Sequence, residues 1–224
     1  MTQLNLNLPI NEGKDPYLQE DFMLLDENSA AVSFLEKFFF QKKFSQAQFQ
    51  SLILRGEAKS GKTHLLNVFA KKRQAAFLQI EQISDANLSS FFKEDHFYIL
   101  ENIEEIKNEE LLLHLINAAV ESKAFLVLSA QGRVQFELRD LSSRVKNIFT
   151  LEIKSPSQDA IKILLMNAFA RRQLRVSSSI INFINSNIER TYDAVIAVVN
   201  SVELHAQESG KGINLKNVKN LLLK

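Results

Sequence analysis

The feature that most constrains the fold of this chain is the stretch 56–63, which reads Gly-Glu-Ala-Lys-Ser-Gly-Lys-Thr and matches the pattern G-x-x-x-x-G-K-[ST]. An apolar run at Leu52–Leu54 precedes it and a helical pattern over Thr63–Lys72 follows it, which disfavours a chance glycine-rich turn. The glycines let the backbone curl, so that its N–H groups and the next helix N-terminus point at phosphate oxygens. Lys62 is expected to reach the phosphates, and the Thr63 hydroxyl to bind Mg²⁺. The predicted nucleotide-binding residues of this loop are Gly56, Ser60, Gly61, Lys62, Thr63 and His64.

Short apolar runs alternate with helical or irregular segments before residue 154. Five runs are typical of buried strands: Leu52–Leu54, Ala76–Ile80, Phe97–Leu100, Phe125–Leu128 and Ile148–Ile153. Apolar residues at helical spacing from Asn28 predict a first helix, with Asn28 or Ser29 as its cap. The alternation predicts an α/β fold with a five-stranded parallel sheet covered by helices on both faces.

The pattern changes at Ser155-Pro156-Ser157-Gln158, which predicts a capping box with proline at the first helical position. No strand-like run follows, and helices are expected at about 157–173, 178–187, 190–207 and 214–223. The predicted organisation is therefore a flexible arm at 1–20, an α/β core at 21–154 and an all-helical lid at 155–224. The basic excess of the lid indicates a solvated charged face, with at most weak non-specific DNA contact.

Composition removes several classes of function. The 224 residues carry a net charge of +1, which gives no global attraction to nucleic acid or anionic membranes. The absence of cysteine excludes disulfides, thiolate zinc sites and a cysteine nucleophile. No apolar run is long enough to span a membrane, and no secretory signal is recognisable, so we expect a soluble cytoplasmic protein.

Glu101-Asn102 follows the predicted strand Phe97–Leu100, at the position where phosphate-loop ATPases place their acidic residues. Glu101 is a candidate for the magnesium shell, whereas the Asn102 amide cannot take a proton from an attacking water. We interpret Glu104 and Glu105 as part of a solvent-facing loop and helix start. Weak or absent intrinsic hydrolysis is therefore expected.

Two arginines are candidates by their placement. Arg144 precedes the last predicted strand, where an arginine can point toward a neighbouring molecule's γ-phosphate. Arg190 opens a helix of the predicted lid and could reach back to bound phosphates. Taken alone, either is more often a surface ion-pair partner, and only the phosphate loop favours the functional interpretation.

The chain resembles the AAA+ ATPases of the replication-initiator class, and more closely the Hda group of DnaA-related regulators. The resemblance rests on these segments: Glu20-Asp21-Phe22-Met23, Asn28-Ser29-Ala30-Ala31, residues 56–63, Glu101-Asn102-Ile103, Asp140-Leu141-Ser142-Ser143-Arg144, Phe169–Leu174 and Ile188-Glu189-Arg190. It implies ADP or ATP with Mg²⁺ as cofactors, with Asp21, Phe22 and Asn28 near the adenine. It also implies that Arg144 is an arginine finger and Arg190 a sensor 2 arginine, with sensor 1 near Ser129–Gln131.

The N-terminal Gln3-Leu4-Asn5-Leu6-Asn7-Leu8 is similar to the peptide by which this group binds the DNA polymerase sliding clamp. In an extended strand, Leu4, Leu6 and Leu8 would enter an apolar groove while the Gln3 amide makes a hydrogen bond. An ordinary disordered tail is the alternative.

The resemblance implies a negative regulator of replication initiation that binds the clamp and promotes hydrolysis of DnaA-bound ATP through Arg144. Two alternatives stay open: a stand-alone AAA+ ATPase of the helicase-loader or remodeller type, and a nucleotide-stabilised interaction module without hydrolysis. Self-association is a further possibility. The chain stops at Lys224, where the lid should end, so sequence-specific origin binding is not expected.

Overall fold

The computed structural model describes residues 23–40, 50–83, 88–209 and 212–222. They pack into two compact units. The core unit holds the described residues of Asp26–Ala58 and Lys62–Lys154. The helical unit holds Met23–Leu25, the loop residues Lys59–Gly61 and the described residues from Ser155 onward.

The core unit is built on a five-stranded sheet with strand order β2-β3-β4-β1-β5. The strands are β1 Ser51–Gly56, β2 Ala76–Phe77, β3 Phe97–Leu100, β4 Phe125–Gln131 and β5 Phe149–Ile153. All four pairings are parallel, and β1 lies between β4 and β5. The predicted five-stranded parallel sheet is confirmed.

Helices connect the strands and form the helical unit. In the core unit they are α1 Asp26–Phe40, α2 Lys62–Arg73, α3 Leu88–Phe91, α4 Glu109–Glu121 and α5 Arg139–Lys146, with 3₁₀ turns at Ile80–Gln82 and Ile103–Glu105. In the helical unit they are α6 Gln158–Arg171, α7 Ser178–Asn187, α8 Tyr192–Ser209 and α9 Leu215–Leu222. None of the helices in the described ranges is both long enough and apolar enough to cross a membrane.

The three inner strands β3, β4 and β1 are buried on both faces, which explains why their sequences are mostly apolar, whereas the edge strands β2 and β5 carry exposed residues. Successive side chains of a strand point to opposite faces, so Tyr98 and Leu100 join the cluster that includes Leu112 and Leu115 of α4. Phe97 points the other way and stacks on Phe39 of α1, with ring centroids 4.8 Å apart. The sheet is therefore held between helices, as a βα-alternating sequence requires.

The helical unit has its own apolar core. Its buried residues come from α6, α7, α8 and α9, together with Leu25 and Ile188 outside these helices, and the largest fully buried side chain among them is Phe169. Ile161, Leu165, Ile184 and Val198 are all completely buried beside it. This core gives the four helices a common apolar centre independent of the sheet.

Three local predictions were wrong. The predicted strand Ala76–Ile80 is a strand only at Ala76–Phe77, both exposed on the sheet edge, and Ile80 already begins a 3₁₀ turn. Asn28 and Ser29 do not cap α1, because the helix begins at Asp26 and the Ser29 hydroxyl donates to the Asp26 carbonyl.

The third concerns the start of α6. The cap is Ser157 rather than Ser155, because the Ser157 Oγ accepts a hydrogen bond from the Ala160 N–H at 3.2 Å. Pro156 thus precedes the helix, which begins at Gln158. A serine lies on each side of the proline, and the sequence pattern alone favours the wrong one.

Candidate nucleotide-binding site

The loop between β1 and α2 contains two residues with left-handed backbone. Lys59 has φ +58° and Gly61 has φ +93°. A Cβ at position 61 would lie 3.1 Å from two ring carbons of Tyr192, which is closer than side chains normally approach. Glycine is therefore required at 61 both by the backbone angle and by the ring that covers it.

Lys62, the first residue of α2, is buried inside this loop. Its Nζ donates hydrogen bonds to the carbonyls of Gly56 and Glu57, both at 2.9 Å. Burial lowers the pKa of Lys62, and the opposing charges of Glu104, Glu101 and Glu57, in that order, raise it. The Lys62 ammonium group donates to carbonyls of its own loop, and it could donate instead to the oxygens of a bound anion.

A hydrogen bond between Thr63 and Glu101 connects the start of α2 with the residue that follows β3. The Thr63 hydroxyl donates to Glu101 Oε1 at 2.7 Å. Burial raises the pKa of Glu101, against the opposing effects of the Thr63 hydrogen bond and the Lys62 charge. A hydroxyl and a carboxylate in contact are oxygen ligands of the type Mg²⁺ prefers, so the two residues fit the predicted metal role.

Ser60 is a predicted loop residue whose buried hydroxyl lacks a hydrogen-bond partner within the described residues. It is 1% exposed, and its Oγ has no hydrogen-bond partner in the described part of the chain. Burying a hydroxyl without a partner costs about 1–3 kcal/mol. A buried hydroxyl without a partner is consistent with a loop that forms hydrogen bonds to a bound ligand. His64, next along the helix, is buried as well.

Asn102 follows Glu101 in a left-handed conformation, with φ 54° and ψ 51°. Its N–H donates to the Oγ of Ser129, a fully buried residue of β4, at 3.1 Å. Within the predicted sensor 1 segment, Ser129 thus contacts the end of β3, whereas Gln131 is exposed and pairs in register with Gly56. In the sequence, this contact is indicated by Ser129, a polar residue placed directly after the apolar run Phe125–Leu128.

Arg144 lies in the last turn of α5 and is exposed. Among the described residues it makes no polar contact with Lys62, Thr63 or Glu101. The N-terminus of α5 is held by Glu109 of α4, whose carboxylate accepts the N–H groups of Glu137 at 3.0 Å and Leu138 at 2.6 Å. The sequence reasoning missed Glu109, because the contact joins two separate helices.

In the helical unit, Lys59 forms an ion pair with Glu189, with Nζ and Oε2 3.2 Å apart. Arg190 follows Glu189 immediately and is exposed. Glu189 and Tyr192 were not predicted as site residues, although they flank the predicted sensor 2 arginine. Glu189 and Tyr192 thus lie next to the loop residues Lys59 and Gly61.

The other predicted residues are placed as follows. Asn28 is buried in the first turn of α1. The predicted adenine neighbours Asp21 and Phe22 lie outside the described residues, as do the predicted clamp-binding residues Gln3, Leu4, Leu6 and Leu8.

No protein-family model matches the chain. No curated protein matches it in sequence. Solved structures do match it in fold. Domain III of the replication initiation protein DnaA from Thermotoga maritima has a TM-score of 0.73 and 15% identity, over 93% of this chain and 96% of that chain.

Two further structures extend the comparison. The Thermotoga maritima Holliday junction branch migration motor RuvB has a TM-score of 0.69 and 18% identity, over 92% of this chain and 71% of that chain. AMPPCP-bound DnaA from Aquifex aeolicus has a TM-score of 0.68 and 15% identity, over 87% of this chain and 67% of that chain. With the parallel sheet order β2-β3-β4-β1-β5, these likenesses establish a DnaA-like α/β AAA+ fold and confirm the predicted fold class.

Proposed function

We propose that this protein binds an adenine nucleotide with Mg²⁺ at the loop 56–63. The carrying observation is that Lys62, Thr63 and Glu101 meet at the carboxyl end of the sheet. Lys62 would hold phosphate oxygens, while Thr63 and Glu101 would hold the metal, which supplies charge neutralisation when bound. The AMPPCP bound to a DnaA of the same fold supports the choice of ligand.

Nucleotide binding is tested with a fluorescent ADP or ATP analogue, followed by anisotropy in the presence and absence of Mg²⁺. Lys62→Ala should weaken binding at least about tenfold, since the interaction of a charged donor with phosphate contributes about 1.5–3 kcal/mol. Lys72→Ala, which removes an exposed lysine at the other end of α2, is the matched control. Equal binding by the Lys62 variant and the control would reject the site.

We further propose that the protein is an Hda-like negative regulator of replication initiation. It would bind the sliding clamp through Gln3, Leu4, Leu6 and Leu8, and act on ATP-bound DnaA. Arg144 would then approach the γ-phosphate of the partner and stabilise the charge that develops during transfer to water. Such an arginine supplied in trans contributes about 10³–10⁵ in rate. The exposure of Arg144 and the DnaA-like fold support this assignment.

The regulatory proposal has two separate tests. ATP-bound DnaA is incubated with DNA-loaded clamp and this protein, and phosphate release is measured for wild type, Arg144→Ala and the control Lys146→Ala. Only Arg144→Ala should lose stimulation. Clamp binding is measured by pull-down with intact protein and with Gln3→Ala, Leu6→Ala; undiminished binding would reject the tail motif.

A stand-alone ATPase is the second candidate function. One observation favours it: a second carboxylate, that of Glu104, follows Glu101 closely and has a shielded oxygen with no hydrogen-bond partner in the described residues. Robust turnover without any partner would support this alternative.

A further inference from the structure

Hydrolysis at this site needs a group that accepts a proton, and the residue after Glu101 cannot supply it. Asn102 carries an amide, which has no basic atom at neutral pH. Its backbone lies in the left-handed region, and its N–H donates a hydrogen bond to the Ser129 Oγ. If the site hydrolyses a nucleoside triphosphate, the base is therefore a residue other than Asn102.

Glu104 lies in the 3₁₀ turn Ile103–Glu105 that directly follows Asn102. The fully buried Ile103 anchors this turn to the core. Glu104 is half-buried, and its Oε2 is shielded from solvent without any hydrogen-bond partner in the described ranges. Its neighbour Glu105 is exposed. An unpaired, shielded carboxylate oxygen is costly to keep, so it marks a position available to a ligand or a water.

The electrostatics locate Glu104 beside the phosphate loop. Of the three carboxylates whose charges raise the pKa of Lys62, Glu104 has the largest effect, ahead of Glu101 and Glu57. This agrees with the backbone geometry, because the turn that carries Glu104 begins two residues after Glu101, whose carboxylate accepts the hydrogen bond from Thr63 at the start of α2. Glu57 is exposed, and Glu101 is already engaged by the Thr63 hydroxyl at 2.7 Å, so among these three acids Glu104 is the one with a shielded oxygen that has no hydrogen-bond partner in the described residues.

We propose that Glu104 is the general base for hydrolysis of a nucleoside triphosphate at this loop, and so a catalytic residue. The proposal rests on the proposed nucleotide site. The water oxygen forms a bond to the γ-phosphorus, and the bond from that phosphorus to the β,γ-bridging oxygen breaks. The proton of the water passes to the Glu104 carboxylate and then to solvent. ATP and water thereby yield ADP, phosphate and a proton.

The test compares Glu104→Gln with the matched control Glu105→Gln. Phosphate release from γ-labelled ATP is followed under single-turnover conditions with Mg²⁺, and binding of a fluorescent ATP analogue is measured by anisotropy. Glu104→Gln should release phosphate about 10²-fold more slowly or worse, which is the lower end of the contribution of a positioned base. It should bind the analogue as tightly as wild type or more tightly, because one negative charge leaves the phosphate site. Glu105→Gln should match wild type in both assays.

A rescue experiment separates chemistry from structure. Asn102→Asp in the Glu104→Gln background restores a carboxylate at the strand end, and Asp tolerates left-handed backbone. It should recover at least about tenfold of the lost rate. Wild-type rates for Glu104→Gln with intact binding would overturn the assignment. So would a wild-type protein that binds ATP without releasing phosphate, although nucleotide binding would then stand. Failure of the wild-type protein to bind the analogue would overturn both proposals.

Discussion

Replacing Gly61 by alanine tests whether the phosphate loop depends on the absence of a side chain. Gly61 has φ +93°, beyond the usual left-handed well near +57°, and forcing a Cβ into left-handed backbone costs about 1–2 kcal/mol. The new Cβ would also lie 3.1 Å from Tyr192, a buried residue of the helical unit's apolar core. Overpacking of this kind costs about 1–3 kcal/mol. We therefore expect Gly61→Ala to lose about 2–5 kcal/mol of unfolding free energy.

Gly132 provides the matched control. It also has positive φ, +63°, but a Cβ there would meet nothing within 4 Å. Gly132→Ala should thus show the backbone cost alone, about 1–2 kcal/mol. For a chain of this size each kcal/mol corresponds to about 2–4 °C in Tm.

The assay is urea denaturation of the nucleotide-free protein, with a double-mutant cycle that adds Tyr192→Leu. Leucine is smaller than the tyrosine ring, so the alanine at 61 should cost less in that background, with a coupling energy of about 1–2 kcal/mol. If Gly61→Ala and Gly132→Ala lose the same free energy, the contact with Tyr192 does not constrain the loop. Coupling near zero would lead to the same conclusion.

Three further predictions follow from single contacts. Burial raises the pKa of Glu101 above its ordinary 4.5, so the nucleotide-free protein should lose stability as pH rises from that value through the folded pKa. In urea titrations, Glu101→Gln should abolish this pH dependence and raise the unfolding midpoint at pH 7. Glu109→Ala should cost about 1–3 kcal/mol, since it leaves the Leu138 N–H and its neighbour without a charged acceptor, whereas exposed Glu110→Ala should cost under about 0.5. Ser157→Ala should cost about 1 kcal/mol by removing the cap of α6, and chemical denaturation should detect it; an unchanged midpoint would contradict the cap.

The parts of the fold that follow from local sequence could be predicted. The phosphate loop is one continuous octapeptide between a strand and a helix, so its residue types and spacing carry the whole signal. Phe97–Leu100 is an uninterrupted apolar run buried on both faces, and its boundaries were predicted correctly. The short edge strand Ala76–Phe77 was overestimated, because apolar content does not show that a strand has only one neighbour.

The parts of the site that depend on distant contacts could not be predicted. Glu104 lies three residues after Glu101, and the sequence does not show that one of its oxygens is buried while Glu105 faces solvent. Tyr192 is 131 positions from the glycine that its ring covers. Glu109 holds the start of α5 across 28 residues. Each role arises from tertiary packing, which periodicity and composition do not encode.

The position of β1 between β4 and the edge strand β5 also has a consequence for biosynthesis. Leu52 pairs with Phe149, which follows it by 97 positions. At a synthesis rate of about 5–20 residues per second, β1 waits about 5–20 s for its outer neighbour to be made. During this time an apolar strand has an unpaired edge, which is the exposure that leads nascent chains to aggregate. The same β1–β5 pairing that encloses the strand before the phosphate loop thus leaves the growing chain open to aggregation until β5 has been made.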